Sequence, residues 1–215
     1  TDDVPVDGVM EDLSCVYDQD YVLPTNTFKK TGNLFTGWNT EADGSGTSYT
    51  DGQTVKNLTT TKDGVVTLYA QWDPASYIIQ YSGNGSTSGT MPTQMMTYGK
   101  AVNLVENKYE RIGYTFKHWN MTLNNQTSTY EDKALVQNLT TERGRVLTFV
   151  AQWEANAYTV VFDKNAEKAT GTMSSQAFTY DTPQNLTANA YKYTGYIFSG
   201  WNTKADGTGT DYTDE

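Results

Sequence analysis

The side chains of this chain that could carry catalytic chemistry are few and far apart. His118 is the only histidine and Cys15 is the only cysteine among the 215 residues. Nucleophilic catalysis through histidine requires the imidazole beside a serine or cysteine, and zinc sites draw on several His or Cys ligands. These residue types therefore disfavour both chemistries, and we expect no catalytic residues, no metal and no cofactor.

Acidic side chains offer a second possibility, because carboxylate oxygens bind calcium or act in pairs on glycosidic bonds. The candidates lie in two similar segments, at Asp43, Asp51, Asp206 and Asp214. Calcium requires six to eight oxygens, and the EF-hand loop pattern is absent. Glycoside hydrolysis needs a cleft in which one carboxylate is buried. Aspartate in Gly-rich segments more often stabilises turns, so we predict turn residues and no enzyme.

Aromatic residues are the remaining source of chemistry, with 16 Tyr and 5 Trp. Tyr69 alternates with Trp72, which places it on the opposite face of its predicted strand. An exposed aromatic ring could stack on a sugar or on a partner protein, although chance exposure is a real alternative. The candidate binding residues are Tyr49, Tyr69, Tyr130 and Tyr212.

Composition limits the partners further. The net charge is −10, which disfavours nucleic acid because that partner requires clustered Lys and Arg. No run reaches the roughly 20 apolar residues that a membrane-spanning helix needs, so we expect no membrane insertion. The possible partners that remain are a host protein or a glycan.

One phrase occurs twice in the chain and reveals its organisation. Residues 35–51 read FTGWNTEADGSGTSYTD, and residues 198–214 read FSGWNTKADGTGTDYTD. Trp38, Trp119 and Trp201 are separated by 81 and 82 residues. Glycines 32, 113 and 195 and tyrosines 17, 98 and 180 keep the same register. Solenoid repeats are shorter, at about 20 to 50 residues, so each unit is predicted to be a domain with its own core.

The register predicts three domains. Residues 1–73 form repeat 1, whose first strand is missing; residues 74–154 form repeat 2, which is complete; residues 155–215 form repeat 3, which lacks its C-terminal helix and strand. The connectors are short, DPAS and EANA, and should restrict the angle between neighbouring repeats. Because both outer repeats are incomplete, we expect the sequence to be part of a longer chain.

The elements that position these residues are mostly strands. The segments YIIQY, TQMMTY and GYTFKHWN of repeat 2 are rich in β-branched and aromatic residues and predict three strands. In VLTFVAQW, the residues Leu147, Phe149, Ala151 and Trp153 form an apolar row at period two, which predicts one buried face. Val55 with Leu58, and Val136 with Leu139, have a three-residue spacing that favours a short helix across the sheet.

The order of these motifs resembles the Listeria-Bacteroides repeat of bacterial surface proteins. The resemblance is carried by YTVVFD, GTM, TY, then GY.F.GWNT.ADG.GT.YTD, V.NLT and LYAQW. It implies an α+β, mostly β fold of tandem β-grasp (ubiquitin-like) domains, each a small twisted sheet with one short helix. It also implies a secreted or cell-surface location and no catalytic residues.

Two functions are compatible with these observations. The first is a non-enzymatic spacer or stalk in a bacterial surface or secreted protein, with possible adhesive contacts. The second is a module that binds a host glycan or protein through exposed tyrosines or sheet edges. Duplication of strands and turns without a repeated polar site favours the spacer.

Overall fold

A computed structural model describes residues 4–214 of the chain; Thr1, Asp2, Asp3 and Glu215, which begin and end the predicted domains, lie outside the described residues. The described chain forms two compact units. The first comprises residues up to Asn84 with 90–108 and 118–151, and the second comprises 85–89, 109–117 and the residues from Gln152 onward. Each predicted strand segment contains a strand, as the β-branched and aromatic composition indicates.

Repeat 1 contains seven strands, most of them very short. They are β1 (Val6–Asp7), β2 (Tyr21–Val22), β3 (Lys29–Lys30), β4 (Asn33–Asn39), β5 (Ser48–Tyr49), β6 (Thr54–Val55) and β7 (Tyr69–Pro74). A three-stranded sheet has the order β5-β4-β7, and both pairings are antiparallel. Its core is built on Leu23, Trp38 and Val55, against which Phe28 and Phe35 pack. The GWN motif therefore supplies the central aromatic residue of this repeat.

Repeat 2 contains the largest sheet among residues 4–214. Its strands are β8 (Ser76–Ser82), β9 (Gln94–Thr97), β10 (Val102–Asn103), β11 (Tyr114–Leu123), β12 (Gln126–Tyr130), β13 (Leu135–Val136) and β14 (Val146–Ala155). Five of them form a sheet in the order β12-β11-β14-β8-β9. We call β14 and its counterpart β7 the closing strands. The closing strand β14 lies at the centre of the sheet and pairs in parallel with β8.

Repeat 3 contains four strands in two separate pairs. They are β15 (Ala157–Val160), β16 (Gln176–Thr179), β17 (Trp201–Asn202) and β18 (Asp211–Tyr212). The strand β15 pairs with β16 and β17 pairs with β18, both antiparallel. Of the segment GYIFSGWN, only the last two residues are in a strand.

The predicted α+β class with one short helix per β-grasp domain is wrong, because the described residues contain no helix. Val55 and Val136, which were predicted to lie in the short helix, are buried, but each lies in a two-residue strand paired with β2 or β10. Asn57 and Asn138 follow with φ near +53°, which ends any right-handed helical path. A strand followed by a left-handed turn thus produces the same three-residue apolar spacing, and the neighbouring threonines are poor helix formers.

The predicted buried row of β14 is present but shorter than expected. Leu147, Phe149 and Ala151 are buried, whereas Trp153 is only half-buried, as is its counterpart Trp72. Trp153 packs edge-to-face against Phe116, with 5.7 Å between ring centroids. The fully buried tryptophan of repeat 2 is instead Trp119.

Candidate joint between consecutive repeats

The four candidate binding tyrosines do not form one surface. Tyr49, Tyr130 and Tyr212 occupy the same position in the three repeats, where each is paired across two strands with Trp38, Trp119 or Trp201. Tyr49 and Tyr130 are half-buried, and the ring of Tyr130 lies 5.0 Å from that of Phe149. Tyr69 lies on β7 and is 41% exposed. Tyr49 and Tyr130 therefore belong to the packing of separate sheets, whereas Tyr212 is 52% exposed.

The repeated ADG segment is a turn organised by one asparagine. The amide of Asn39 is buried and donates to the carbonyl of Gly44 (3.1 Å) and to Ser48 Oγ (3.0 Å). Its Oδ1 accepts the backbone N–H groups of Glu41 (2.8 Å) and Gly46 (3.0 Å). Asn202 accepts the equivalent N–H groups of Lys204 and Gly209. The motif WNT.ADG.GT therefore encodes a hydrogen-bonded turn.

Each of the four candidate aspartates accepts a hydrogen bond from a backbone N–H group. Asp43 accepts the N–H group of Ser45 and Asp206 accepts that of Thr208, each at 3.0 Å. Hydrogen bonds from the side chain and the N–H of Ser45 hold the pKa of Asp43 below its ordinary value, and those from the N–H and the hydroxyl of Thr208 do the same for Asp206. The other two candidates also accept backbone N–H groups, Asp51 from Asn26 (2.9 Å) and Asp214 from Asn189 (2.8 Å), and Asp132 of repeat 2 accepts the equivalent group of Asn107 (2.9 Å). All these carboxylates tie loops to turns.

Within residues 4–214, no group of three or more His, Cys, Asp and Glu side chains is placed to hold a metal ion. His118 is half-buried on β11 and Cys15 is an exposed free thiol. One surface depression of about 270 Å³ is lined by residues 9–13 together with Pro24, Thr25 and Thr27. Its only charged groups are Glu11 and Asp12, and the four candidate aspartates lie elsewhere.

The geometry that does recur is a contact between a glycine of one repeat and a tyrosine of the next. Gly32 and Gly113 have φ of +67° and +76°, in the left-handed region that favours glycine. A Cβ atom on Gly32 would overlap the ring of Tyr98, and one on Gly113 would overlap the ring of Tyr180. The tyrosine ring can therefore approach only because the glycine has no side chain. We call this contact, together with the residue that links the two repeats (Ala75 or Asn156), the joint.

Backbone hydrogen bonds complete the joint in the same way both times. A single residue separates the closing strand from the first strand of the next repeat, Ala75 between β7 and β8 and Asn156 between β14 and β15. Ala75 N–H donates to the Gly32 carbonyl (2.8 Å) and its own carbonyl accepts Tyr98 N–H (2.8 Å). Asn156 makes the equivalent bonds to Gly113 (2.9 Å) and from Tyr180 (2.9 Å). The linker is thus bonded to both repeats that it connects.

Side chains at the two joints differ. At the first, Arg143 forms an ion pair with Asp73 (2.9 Å) and donates to the carbonyls of Asp73 (3.1 Å) and Pro74 (3.2 Å). At the second, the Tyr114 hydroxyl donates to Asp181 Oδ2 (2.9 Å), and this bond raises the pKa of Tyr114. The glycine, the ring and the backbone bonds are therefore the constant part of the joint, and the charged contacts vary.

The recurrence of these glycines and tyrosines is visible in the sequence, but it did not predict a role for them. Gly32 and Tyr98 are 66 residues apart in the chain and belong to different repeats, so comparison of one repeat with another does not pair them. The signal available in the sequence was a nearly constant spacing, since Gly113 and Tyr180 are 67 residues apart.

Three all-β repeats connected through equivalent joints define a tandem-repeat protein. The family model of the Listeria-Bacteroides repeat domain matches residues 6–71, 77–141 and 158–215, and the chain belongs to this family. The recognition made from the motifs is confirmed.

Two relatives come from Evansella cellulosilytica. One, provisionally named a Gly-rich membrane protein, is 31% identical over 204 residues, covering 93% of this chain and 22% of the relative. Another, provisionally named a membrane protein, is 26% identical over 196 residues, covering 86% of this chain and 25% of the relative. The chain thus spans about a quarter of the length of these relatives.

The comparison with solved structures finds none that matches this chain. Among residues 4–214 there is no helix with the length and apolar character needed to cross a membrane.

Proposed function

We propose that this chain is a non-enzymatic spacer segment of a bacterial envelope or surface protein, in which the joints limit bending between consecutive repeats. The observation that carries the proposal is the joint itself, which is built twice from the same glycine, tyrosine ring and linker bonds. A spacer requires modules that fold and connections that resist bending, and the chain repeats both features. The names of the two relatives support an envelope location.

The physical basis of stiffness is the small number of free torsions at each joint. A flexible linker of several residues samples many directions, whereas one residue whose N–H and C=O are both bonded samples few. The seated tyrosine ring adds apolar contact on one side of the linker. Bending the joint would break two backbone hydrogen bonds and unseat the ring together.

A binding module for a host glycan or protein has weaker support. Tyr212 is exposed in repeat 3, but its equivalents Tyr49 and Tyr130 are half-buried in the other two repeats. The ring of Tyr130 is covered by Phe149 of the closing strand, so the exposure of Tyr212 follows from the smaller sheet of repeat 3. Tyr69 remains the one candidate exposed in a repeat that has its closing strand.

Two measurements test the proposal. Limited proteolysis with thermolysin should leave the segments around Ala75 and Asn156 intact in the parent chain and cleave them in a Tyr98→Ala, Tyr180→Ala double variant. Equal and rapid cleavage of both proteins would show that the joints do not restrain the linkers.

The second measurement is a binding survey of the chain against extracellular-matrix proteins and a glycan array. The spacer predicts no saturable binding at sub-millimolar concentration. Saturable binding that Tyr69→Ser abolishes, and that the control Tyr49→Phe at a half-buried position retains, would establish the binding module instead.

A further inference from the structure

The chain enters and leaves repeat 2 through two strands that are neighbours in its sheet. The strand β8 begins one residue after β7, and β14 ends one residue before β15. In the order β12-β11-β14-β8-β9 these two strands lie side by side, both inside the sheet rather than at an edge. They pair in parallel, from Ile78 opposite Val146 to Ser82 opposite Val150. We call residues 78–82 and 146–150 the central parallel pair.

The parallel direction decides how this pair responds when the chain is stretched. In a parallel pair, the start of one strand and the end of the other lie at opposite ends of the pair. Tension through the two joints therefore pulls β8 towards its start and β14 towards its end, so the strands are drawn past each other along their length. The hydrogen bonds of a parallel pair are evenly spaced, and all of them carry this tension at once. In an antiparallel pair both connections would lie at the same end, and the bonds would break one after another.

Further hydrogen bonds join the two chain segments beyond both ends of the central parallel pair. Before the pair, the N–H of Gly144 donates to the carbonyl of Ser76 (2.7 Å). After the pair, the side-chain amide of Asn84 donates to the carbonyl of Ala151 (2.8 Å). These bonds lengthen the region that has to break together when the strands are drawn past each other.

Side chains on the buried face prevent the two strands from sliding in small steps. Tyr77 and Ile79 of β8 and Phe149 of β14 have no exposed surface, and Leu147 is 2% exposed. A slip of one residue would turn the apolar side chains of one strand to the solvent face, because side chains alternate along a strand. The smallest slip that keeps them inside is two residues, about 7 Å at the rise of a strand. The strands must therefore lose most of their contacts before they reach a new register.

We propose that the central parallel pair makes repeat 2 resist tension along the chain, so that the segment transmits a pulling force between parts of a surface protein. The inference rests on the proposed spacer function, because only a segment connected at both ends is stretched. Ala75 leads directly into β8 and Asn156 follows directly after β14. No other strand of repeat 2 therefore lies between a joint and the central parallel pair.

The test pulls the full chain with optical tweezers in two directions. Both proteins carry Cys15→Ser, and Asp73→Cys holds the first handle shortly before β8. The second handle is at Glu154→Cys, near the end of β14, in one protein and at Thr141→Cys, before the start of β14, in the other. All three handle positions are exposed. The first protein shears the central parallel pair, and the second peels it apart from one end.

The force at which repeat 2 unfolds reports the barrier to unfolding in each direction. At the same pulling speed, we expect shearing to need a force at least about twofold higher than peeling, because the bonds break together. Equal forces, or a lower force for shearing, overturn the proposal. Equal forces in a chain whose linkers resist thermolysin leave the spacer function standing, whereas rapidly cleaved linkers overturn the spacer function itself.

A matched pair of threonine variants separates the central parallel pair from the rest of the sheet. Thr148→Val removes the bond from Gln80 Nε2 to Thr148 Oγ1 (2.8 Å), which joins β8 to β14. Thr122→Val removes the bond between the hydroxyls of Thr122 and Thr127 (2.8 Å), which joins β11 to β12. The shearing force should fall in Thr148→Val and keep the parental value in Thr122→Val. An equal fall in both variants would overturn the assignment of the resistance to the central parallel pair.

Discussion

Repeats 2 and 3 share a sequence pattern but differ in how well their aromatic residues are covered. Trp119 is fully buried, with Phe149 of the closing strand in the same core. Its counterpart Trp201 is only half-buried, and Phe198 beside it is exposed. Trp201 is the central residue of the motif Gly-Trp-Asn, and Trp119 is the central residue of its variant His-Trp-Asn. The difference teaches that the motif positions the tryptophan, and that the closing strand creates the core around it.

The largest effect that separates the two repeats is expected from removing these tryptophans. Trp119→Ala should lower the free energy of unfolding of repeat 2 by about 3–5 kcal/mol, the usual result of truncating a large buried aromatic residue. Trp201→Ala should cost much less, because its ring is partly exposed already. Urea denaturation followed by hydrogen exchange, which resolves each repeat, measures both losses. Equal losses would refute the role assigned to the closing strand.

A second comparison concerns the asparagine of the ADG turn. Asn39→Ala would remove the hydrogen bonds that this buried amide makes to the turn, each of which contributes about 0.5–1.5 kcal/mol to stability. Asn202→Ala removes equivalent bonds in a more exposed turn, where water can replace them, so its cost should be smaller. Chemical denaturation of the two variants tests the order. A larger loss for Asn202→Ala would contradict the account.

The joint can be tested with a matched pair of glycines. Gly113 and Gly195 have φ of +76° and +84°, so replacement by alanine costs each about 1–2 kcal/mol of backbone strain. Only Gly113→Ala also displaces a tyrosine ring, because no atom lies within 4 Å of the position of a Cβ on Gly195. The amide protons of Asn156 and Tyr180 should lose exchange protection in Gly113→Ala and keep it in Gly195→Ala. Similar loss in both would mean that the ring contributes nothing.

The smallest effect is expected from a charged contact present only in repeat 2. Lys108 and Lys133 both donate to Glu106 and lower its pKa to about 2. A depressed carboxyl pKa adds stability above the unfolded value near 4.5, and that stability is lost as the pH falls toward 2. All three groups are exposed, so the effect on folding should be slight. Lys133→Met should raise the pKa of Glu106 in an NMR titration, and an unchanged value would exclude the ion pair.

Sequence patterns predicted the strands well where one face is buried over several residues. Leu147, Phe149 and Ala151 alternate as a sheet requires, and their burial follows from that period alone. The helix prediction failed because Val55 and Leu58 are also brought together by a strand and a left-handed turn at Asn57. A spacing of three residues cannot distinguish these two backbone paths.

The site was harder to predict than the strands. The candidate tyrosines were chosen by residue type, and three of them occupy one equivalent position in separate repeats rather than one surface. The joint pairs Gly32 with Tyr98 across two repeats, and long-range contacts of this kind leave no local periodicity in the sequence.

The central claim is that the joint restrains consecutive repeats. The most direct test is a pulsed electron paramagnetic resonance distance measurement across the first joint. Spin labels would be placed at Thr60→Cys in repeat 1 and Glu131→Cys in repeat 2, with Cys15→Ser to remove the native thiol. Both label positions are exposed.

We predict a narrow distance distribution in the parent and a clearly broader one in Tyr98→Ala. Tyr17→Ala, which changes the equivalent but exposed tyrosine of repeat 1, should leave the distribution narrow. A parent distribution as broad as that of Tyr98→Ala would contradict the claim that the ring seated on Gly32 holds the two repeats together.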